Sequence, residues 1–353
     1  MPVPTTAAPV PTLAADGAVL ERVVVLGASA GGVEALSALF QALPRTVHAA
    51  FLVVLHIPAH SPSQLAAILA LDTGMRVAAA RDGEPIEPGN VYVAPPDYHL
   101  MVDAGVVRLT RGPRECRMRP AIDVLFRSAA LHYGPRVIGV VLSGALDDGS
   151  AGLWSIKDRQ GTALVQEPSE AAFSSMPDSA LRHVAVDLVG TIPALAAEIV
   201  RLTQQPPSTP EAPRLGDRML VESLIAGEAP ALKNGVLELG EISRYSCPEC
   251  HGVLVQIEEG SIVRFRCHTG HAYSIQTLLD EVNHTIDAGL WATVRALEER
   301  LLLLRQICGI ARAHGTPREV ASCNAQAENV ESRIGIVREL VLDAQLVGHP
   351  PPH

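Results

Sequence analysis

Three short, wholly apolar runs, Val23–Leu26, Ala50–Leu55 and Val137–Leu142, constrain this chain more than any other feature. Each lacks the polar alternation of a half-exposed strand, and each is followed by a turn and then by a stretch of helical spacing. Strands of that kind are covered on both faces, which requires a parallel sheet flanked by helices. The spacing predicts helices over 33–42, 63–71 and 120–133 and after Gly149, with further strands over 90–94 and 162–166. Residues 100–109 read as a hairpin turning at Asp103-Ala104-Gly105. The expected fold is α/β, a doubly wound, mostly parallel sheet. Such sheets bind ligands outside the carboxyl ends of their strands, and Ser29, His56 and Asp148 all fall just beyond expected strand ends.

With 353 residues, 48% of them hydrophobic, the chain has material for two compact domains and is not a disordered polymer. Only 3% are aromatic and the formal net charge is −10, which disfavours a nucleic-acid platform or an anionic membrane surface as partner. The first twenty residues carry no Lys or Arg and so lack the basic start of a secretory signal. No apolar run approaches the roughly 18 residues that span a bilayer. These features point to a cytoplasmic protein with no membrane insertion and no nucleic-acid partner. The expected organisation is a disordered tail over 1–20, a catalytic domain over 21–204 and a Pro-rich linker over 205–216, then a zinc-ribbon-like unit over 217–273, a helical hairpin over 274–346 and a tail over 347–353.

Gly27-Ala28-Ser29-Ala30-Gly31-Gly32 matches the G-x-S-x-G pattern between a strand and a helix, where a sharp turn can lift a serine hydroxyl above the sheet. The same stretch also suits a phosphate-cradling glycine turn or a serine N-cap. A serine hydroxyl becomes a nucleophile only beside a base, and the base needs a group that fixes its tautomer. His56 and Asp148 offer both, although taken singly one suits a packed histidine and the other a helix N-cap.

A second constellation lies beyond residue 240. Cys247-Pro248-Glu249-Cys250 and Cys267-His268-Thr269-Gly270-His271 give C-x2-C, sixteen residues, then C-x3-H. This spacing suits a closed, tetrahedral, structural Zn2+ on Cys247, Cys250, Cys267 and His271, with Gly252 and Gly270 allowing the tight turns. His271 is preferred to His268 because neighbours in sequence rarely reach one ion together. Catalysis itself calls for no cofactor. Two long amphipathic helices follow over 274–313 and 317–345, and Leu290, Trp291, Val294, Leu297 and Leu301 form an apolar face suited to self-association, a signalling partner or an internal core. Cys116, Cys308 and Cys323 read as small buried hydrophobes, which with the clustered thiols suits a reducing compartment.

Val25–Gly32, Leu55-His56-Ile57-Pro58, Tyr92–Pro96, Arg119–Phe126, Leu142-Ser143-Gly144 to Asp148-Gly149 and Ser175-Met176-Pro177 together resemble the protein-glutamate methylesterase domain of bacterial chemotaxis, the CheB type. The resemblance covers about residues 20–200, in order. It implies that Ser29 is the nucleophile, His56 the general base and Asp148, not its neighbour Asp147, the orienting carboxylate. It also implies oxyanion contacts from the turn at Ala30 and from the backbone at Ala145, where the family commonly carries Met. The implied partners are methylated chemoreceptor-like proteins; Arg111, Arg114, Arg117 and Arg119 suit a basic surface for their acidic segments and equally suit a solvated loop. Glutamine deamidation is a related expectation, since the same acyl-enzyme route releases ammonia. The family's N-terminal receiver domain is expected to be missing, only a short tail preceding Val23. A ribbon and hairpin of similar sequence accompany some receiver-less relatives. Two rival readings are a non-catalytic signalling module on the same fold and a zinc-dependent nucleic-acid regulator.

Overall fold

A computed structural model describes residues 22–60, 62–207 and 218–342 of the chain. The tails expected over 1–20 and 347–353, and the linker from residue 208 onward, lie outside the described residues. The chain divides into two compact units, one up to Thr277 and one from Leu278.

The first unit opens with β1 (Val23–Ala28), α1 (Gly32–Ala42), β2 (Ala50–Leu55), α2 (Leu65–Asp72), β3 (Arg76–Ala79) and β4 (Asn90–Val93). A hairpin of β5 (His99–Asp103) and β6 (Val106–Thr110) follows, then α3 (Ile122–Tyr133), β7 (Val137–Val141), α4 (Ser150–Asp158), β8 (Thr162–Gln166), α5 (Ser175–His183), β9 (Leu188–Gly190) and α6 (Ile192–Thr203). Seven strands form one sheet in the order β3-β4-β2-β1-β7-β8-β9, and every pairing in it is parallel. β1 and β2 are buried at every position, so their side chains feed two cores at once. Val24, Leu26, Phe51 and Val53 pack with α1, α2 and α6 on one face, while Val23, Val25, Leu52 and Val54 pack with α3, α4 and α5 on the other. Each such side chain withdrawn from water contributes about 1.5–3 kcal/mol, which anchors the two central strands.

The chain builds β2, β3 and β4 on one side of β1 and then crosses to β7, β8 and β9 on the other. The strand order therefore reverses between β1 and β7, and the crevice of the fold opens at their carboxyl ends.

Beyond the linker, α7 (Arg218–Ala226) packs against α3, and a four-stranded antiparallel sheet follows: β10 (Glu241–Ser246), β11 (Val253–Glu259), β12 (Ile262–Cys267) and β13 (Ala272–Ser274). This ribbon, expected within 217–273, is part of the first compact unit. A buried network of opposite charges crosses its seam with α3. Arg266 on β12 meets Glu115 at 2.7 Å and Glu222 of α7 at 2.8 Å; Arg127 of α3 meets Glu115 at 2.7 Å, and Arg264 meets Glu222 at 2.8 Å and Glu259 at 2.6 Å.

The second unit is a helical hairpin of α8, which begins at Ile275 and runs to His314, and α9 (Pro317–Leu342). Thr316 and Glu319 cap α9 reciprocally: the Thr316 N–H donates to Glu319 Oε2 at 2.7 Å and the Glu319 N–H to Thr316 Oγ1 at 3.4 Å, with Pro317 between them. Arg305–Glu331 at 2.9 Å and Arg338–Glu298 at 2.6 Å fix the antiparallel register. Val294, Leu301, Val330 and Val341 are buried, whereas Trp291 is half exposed. The expectation that Cys308 and Cys323 are merely small hydrophobes is corrected: they form a disulfide across the hairpin, with Cα atoms 5.6 Å apart. The turn at 315–316 brings the two helices back on themselves, and that puts the two thiols opposite each other.

Candidate active site

The pairing of β1 with β2 sets Ala28 opposite Leu55, so the next residues on each strand, Ser29 and His56, leave the sheet side by side. The His56 N–H donates to Ala28 O at 3.2 Å and continues the ladder by one bond. The turn after Ser29 passes through Gly31 at φ 68°, where an added Cβ would lie 2.7 Å from Ala172 Cβ and 2.8 Å from Ser143 Oγ. Only glycine fits that corner. Ser143 braces it: its carbonyl accepts from the Ser29 N–H at 3.0 Å, and its hydroxyl donates to Ala30 O at 2.8 Å while accepting from the Phe173 N–H at 3.0 Å.

The His56 ring lies between Ser29 and Asp148, with Nδ1 3.1 Å from Ser29 Oγ and Nε2 2.8 Å from Asp148 Oδ2. A carboxylate can only accept, so Nε2 carries the proton and the Nδ1 lone pair faces the serine hydroxyl. Asp148 is 2% exposed. Its Oδ2 also accepts from the Ile122 N–H at 2.7 Å and its Oδ1 from the Asp123 N–H at 3.0 Å, both at the first turn of α3. The positive end of a helix dipole and two amides thus support the charge of a carboxylate shut away from water.

α4 receives the reciprocal contact. Asp123 Oδ1 accepts from the Gly149 N–H at 2.9 Å and the Gly152 N–H at 2.6 Å, so the N-termini of α3 and α4 clasp each other through two aspartates. Burial pushes the Asp123 carboxyl well above its ordinary range, and the adjacent Asp148 charge pushes it further. Cys116 joins this pair as a buried thiol, raised by burial and by the same carboxylates, and is therefore a neutral, unreactive group.

Ala145 is the exposed residue of the otherwise buried or half-buried loop between β7 and α4, and Ala30 lies in the turn after Ser29. The Ser29 amide is already engaged, while among the described residues those of Ala30 and Ala145 enter no hydrogen bond. Asp147, beside Asp148, turns away from His56, and its Oδ1 accepts from Ser274 Oγ at 2.9 Å.

The ribbon brings Cys247, Cys250, Cys267 and His271 together, with ligand atoms within 4.8 Å of one another. A tetrahedral zinc with bonds of roughly 2.3 Å to sulfur and 2.0 Å to nitrogen needs sulfurs about 3.8 Å apart and sulfur–nitrogen separations of about 3.5 Å. Cys250 and Cys267 sulfurs are 3.6 Å apart, and His271 Nδ1 is 3.7 Å from Cys247 and 3.5 Å from Cys267. The other ring nitrogen of His271 faces Glu249 at 3.4 Å, an outer carboxylate of the kind that orients a histidine ligand. The donor set fits the ion. His268 lies outside it, its ring placed over Gly252.

The arginine run is divided in its tasks. Arg119 is held by Asp97 at 2.6 Å and by the carbonyls of Arg111 and Gly112, while Arg111 stacks over Tyr98 at 4.8 Å and also reaches Asp97. Asp123, Ser143 and Ser274 join the site without having been singled out in the sequence. The first two lie inside segments that carry the resemblance, and Ser274 ends the ribbon run that resembles that of receiver-less relatives and opens a Ser-x-x-Thr helix start.

A serine, a histidine and a buried carboxylate in one hydrogen-bonded line, at the switch point of a parallel sheet, define the class of a serine hydrolase. The family model described as CheB methylesterase matches residues 24–199. A protein of Methanosarcina mazei named protein-glutamate methylesterase/protein-glutamine glutaminase 2 is 35% identical over 193 residues, covering 52% of this chain and 53% of its own. A Leptospira interrogans relative, provisionally described in the same terms, is 38% identical over 182 residues, 51% of this chain and 94% of its own length. The crystal structure of the Thermotoga maritima CheB methylesterase catalytic domain is matched over its whole length, with a TM-score of 0.50 and 31% identity over 52% of this chain. The chain belongs to the CheB methylesterase family, and the family's catalytic domain occupies its N-terminal part. Among the described residues no helix is long and apolar enough to cross a membrane.

Proposed function

We propose that this protein is a protein-glutamate methylesterase that hydrolyses glutamyl methyl esters on methylated chemoreceptor-like proteins, with deamidation of receptor glutamines as a second reaction of the same site. The observation that carries this reading is the line from Ser29 through His56 to Asp148 at the carboxyl ends of adjacent strands. Ser29 Oγ attacks the ester carbonyl as His56 Nδ1 takes its proton, and Asp148 stabilises the resulting imidazolium. The amides of Ala30 and Ala145 hold the oxyanion. Collapse of the adduct expels methoxide, which leaves as methanol with the proton from His56. Water, deprotonated by the same histidine, then cleaves the acyl-serine and restores the hydroxyl. With glutamine the leaving group is ammonia. Cys247, Cys250, Cys267 and His271 hold a structural zinc that ties the two turns of the ribbon and takes no part in these steps. We place its action in the cytoplasm, with the receptor segments it would demethylate; the Cys308–Cys323 pair is the one disulfide among the described residues and lies outside the ribbon.

Purified protein incubated with methylated and with amidated receptor cytoplasmic fragments tests this directly. Methanol from the first and ammonia from the second are expected. Absence of both from several receptors, with the protein folded, would favour a non-catalytic signalling module.

A further inference from the structure

The segment after His271 leads straight from the metal-ligand cluster to the active-site loop. β13 begins at Ala272, whose N–H donates to Arg114 O at 3.2 Å and whose carbonyl accepts from the Cys116 N–H at 2.8 Å. β13 ends at Ser274, whose hydroxyl donates to Asp147 at 2.9 Å. The same Ser274 oxygen accepts from the Thr277 N–H at 3.0 Å and so caps the start of α8. Asp147 precedes Asp148 in a loop where Leu146 is held at φ 66°, a left-handed conformation that a branched side chain resists. That strain is kept only if something outside the loop secures it. The surrounding seam is not filled solid: a cavity of about 440 Å³, lined by Leu146, Asp147, Ser150, Arg182, Arg264 and Ser274 among others, lies between the ribbon and the helices α4 and α5, which meet the ribbon beside it where His183 Nδ1 is 3.0 Å from Ser261 Oγ. Ser274 and Asp147 both line that cavity, and their hydrogen bond is a direct contact between the end of β13 and the loop. On the far side of β13, the buried charges of Arg264 and Arg266 fix β12 to α7 and to Glu115, which gives the ribbon a rigid seat.

We propose that the ribbon is a positioning element of the esterase, in which a metal on Cys247, Cys250, Cys267 and His271 fixes β13 and Ser274 then holds Asp147, keeping Asp148 in line with His56. The proposal rests on the esterase and zinc readings above. Ser274 is a positioning residue: it touches neither substrate nor His56, and it acts on Asp148 through the neighbouring residue. Loss of the metal loosens β13, releases Asp147 and lowers turnover without altering the surface that binds the receptor. Metal occupancy thereby sets the activity of the site.

The test compares wild type, zinc-stripped wild type, Ser274→Asp and Ser274→Thr. Aspartate still caps α8 but sets a second carboxylate against Asp147, whereas threonine retains both the cap and the donor. Zinc per chain, amide exchange over residues 144–149, and kcat and KM for methanol release are measured on each. About one zinc per chain is expected in wild type and in both variants. Stripping and Ser274→Asp should each speed exchange in the loop and lower kcat by about tenfold or more at nearly constant KM, as a misplaced orienting group does. Ser274→Thr should match wild type. Ser274→Asp keeps its metal and decides the matter if stripping unfolds the ribbon. A wild-type chain that takes up no zinc, or a Ser274→Asp variant whose loop exchange and kcat equal those of wild type, overturns the proposal. Loop exchange that follows zinc and Ser274 in a protein releasing no methanol would sustain the coupling and sink the esterase reading instead.

Discussion

Asp123 and Asp148 are two buried carboxyls at clasped helix ends, and their surroundings differ. Asp148 has a histidine and two amides to support its negative form, whereas Asp123 is raised well above 3.8 by burial and by Asp148 itself. The folded protein therefore holds the Asp123 proton more tightly than the unfolded chain does. Stability from this group is complete below about 3.8 and declines as pH rises through the folded-state value. Asn at this position keeps the Oδ1 acceptor for Gly149 and Gly152 and has no proton to lose. The melting temperature of Asp123→Asn relative to wild type should thus rise with pH across that window, with kcat within roughly tenfold of wild type. A difference independent of pH would mean that Asp123 is charged in the fold.

At the scale of elements, the sequence speaks most clearly where burial is two-sided. Val23–Ala28, Ala50–Leu55 and Val137–Val141 are continuous apolar runs because both faces of each strand are covered, and their order leads directly to Ser29, His56 and Asp148. β3 escaped notice because it is an edge strand whose four residues, Arg76–Ala79, are largely exposed. β9 escaped because three residues carry no period at all. Arg264 and Arg266 look like surface residues of a ribbon strand; both are buried because their partners Glu222 and Glu115 lie 42 and 151 residues away, a distance no local pattern reports. The docking of α7 is equally non-local. An added Cβ at Gly112 would lie 2.2 Å from Ala226 O at the end of α7, where Thr110 Oγ1 also donates to that carbonyl at 2.6 Å. Gly112→Ala should therefore force α7 away and cost about 1–3 kcal/mol in urea unfolding. An unchanged midpoint would show that α7 is not seated there.

For the molecule as a whole, the buried charges make the union of ribbon and catalytic sheet sensitive to acid. Burial pushes the Glu115 carboxyl up, but Arg127 and Arg266 outweigh it and hold it at about 2. Its contribution to stability is present above 4.5 and is lost as pH falls toward 2. Trp154 lies 3.2 Å from the position an added Gly260 Cβ would take on the ribbon hairpin, so its emission in a Trp291→Phe background reports this seam. The emission should change across that acid window in wild type and already at neutral pH in Glu115→Gln, where Arg127 and Arg266 lose a partner. An acid profile that Glu115→Gln leaves unchanged would remove the network from the account. The central claim is that Ser29, activated through His56 and Asp148, performs the ester hydrolysis. Methanol release from a methylated receptor fragment, measured for wild type, Ser29→Ala and Asp148→Asn with folding checked by circular dichroism, tests it most directly. The account predicts that wild type releases methanol and that both folded variants fall by about a thousandfold or more; release from Ser29→Ala at the wild-type rate would contradict it.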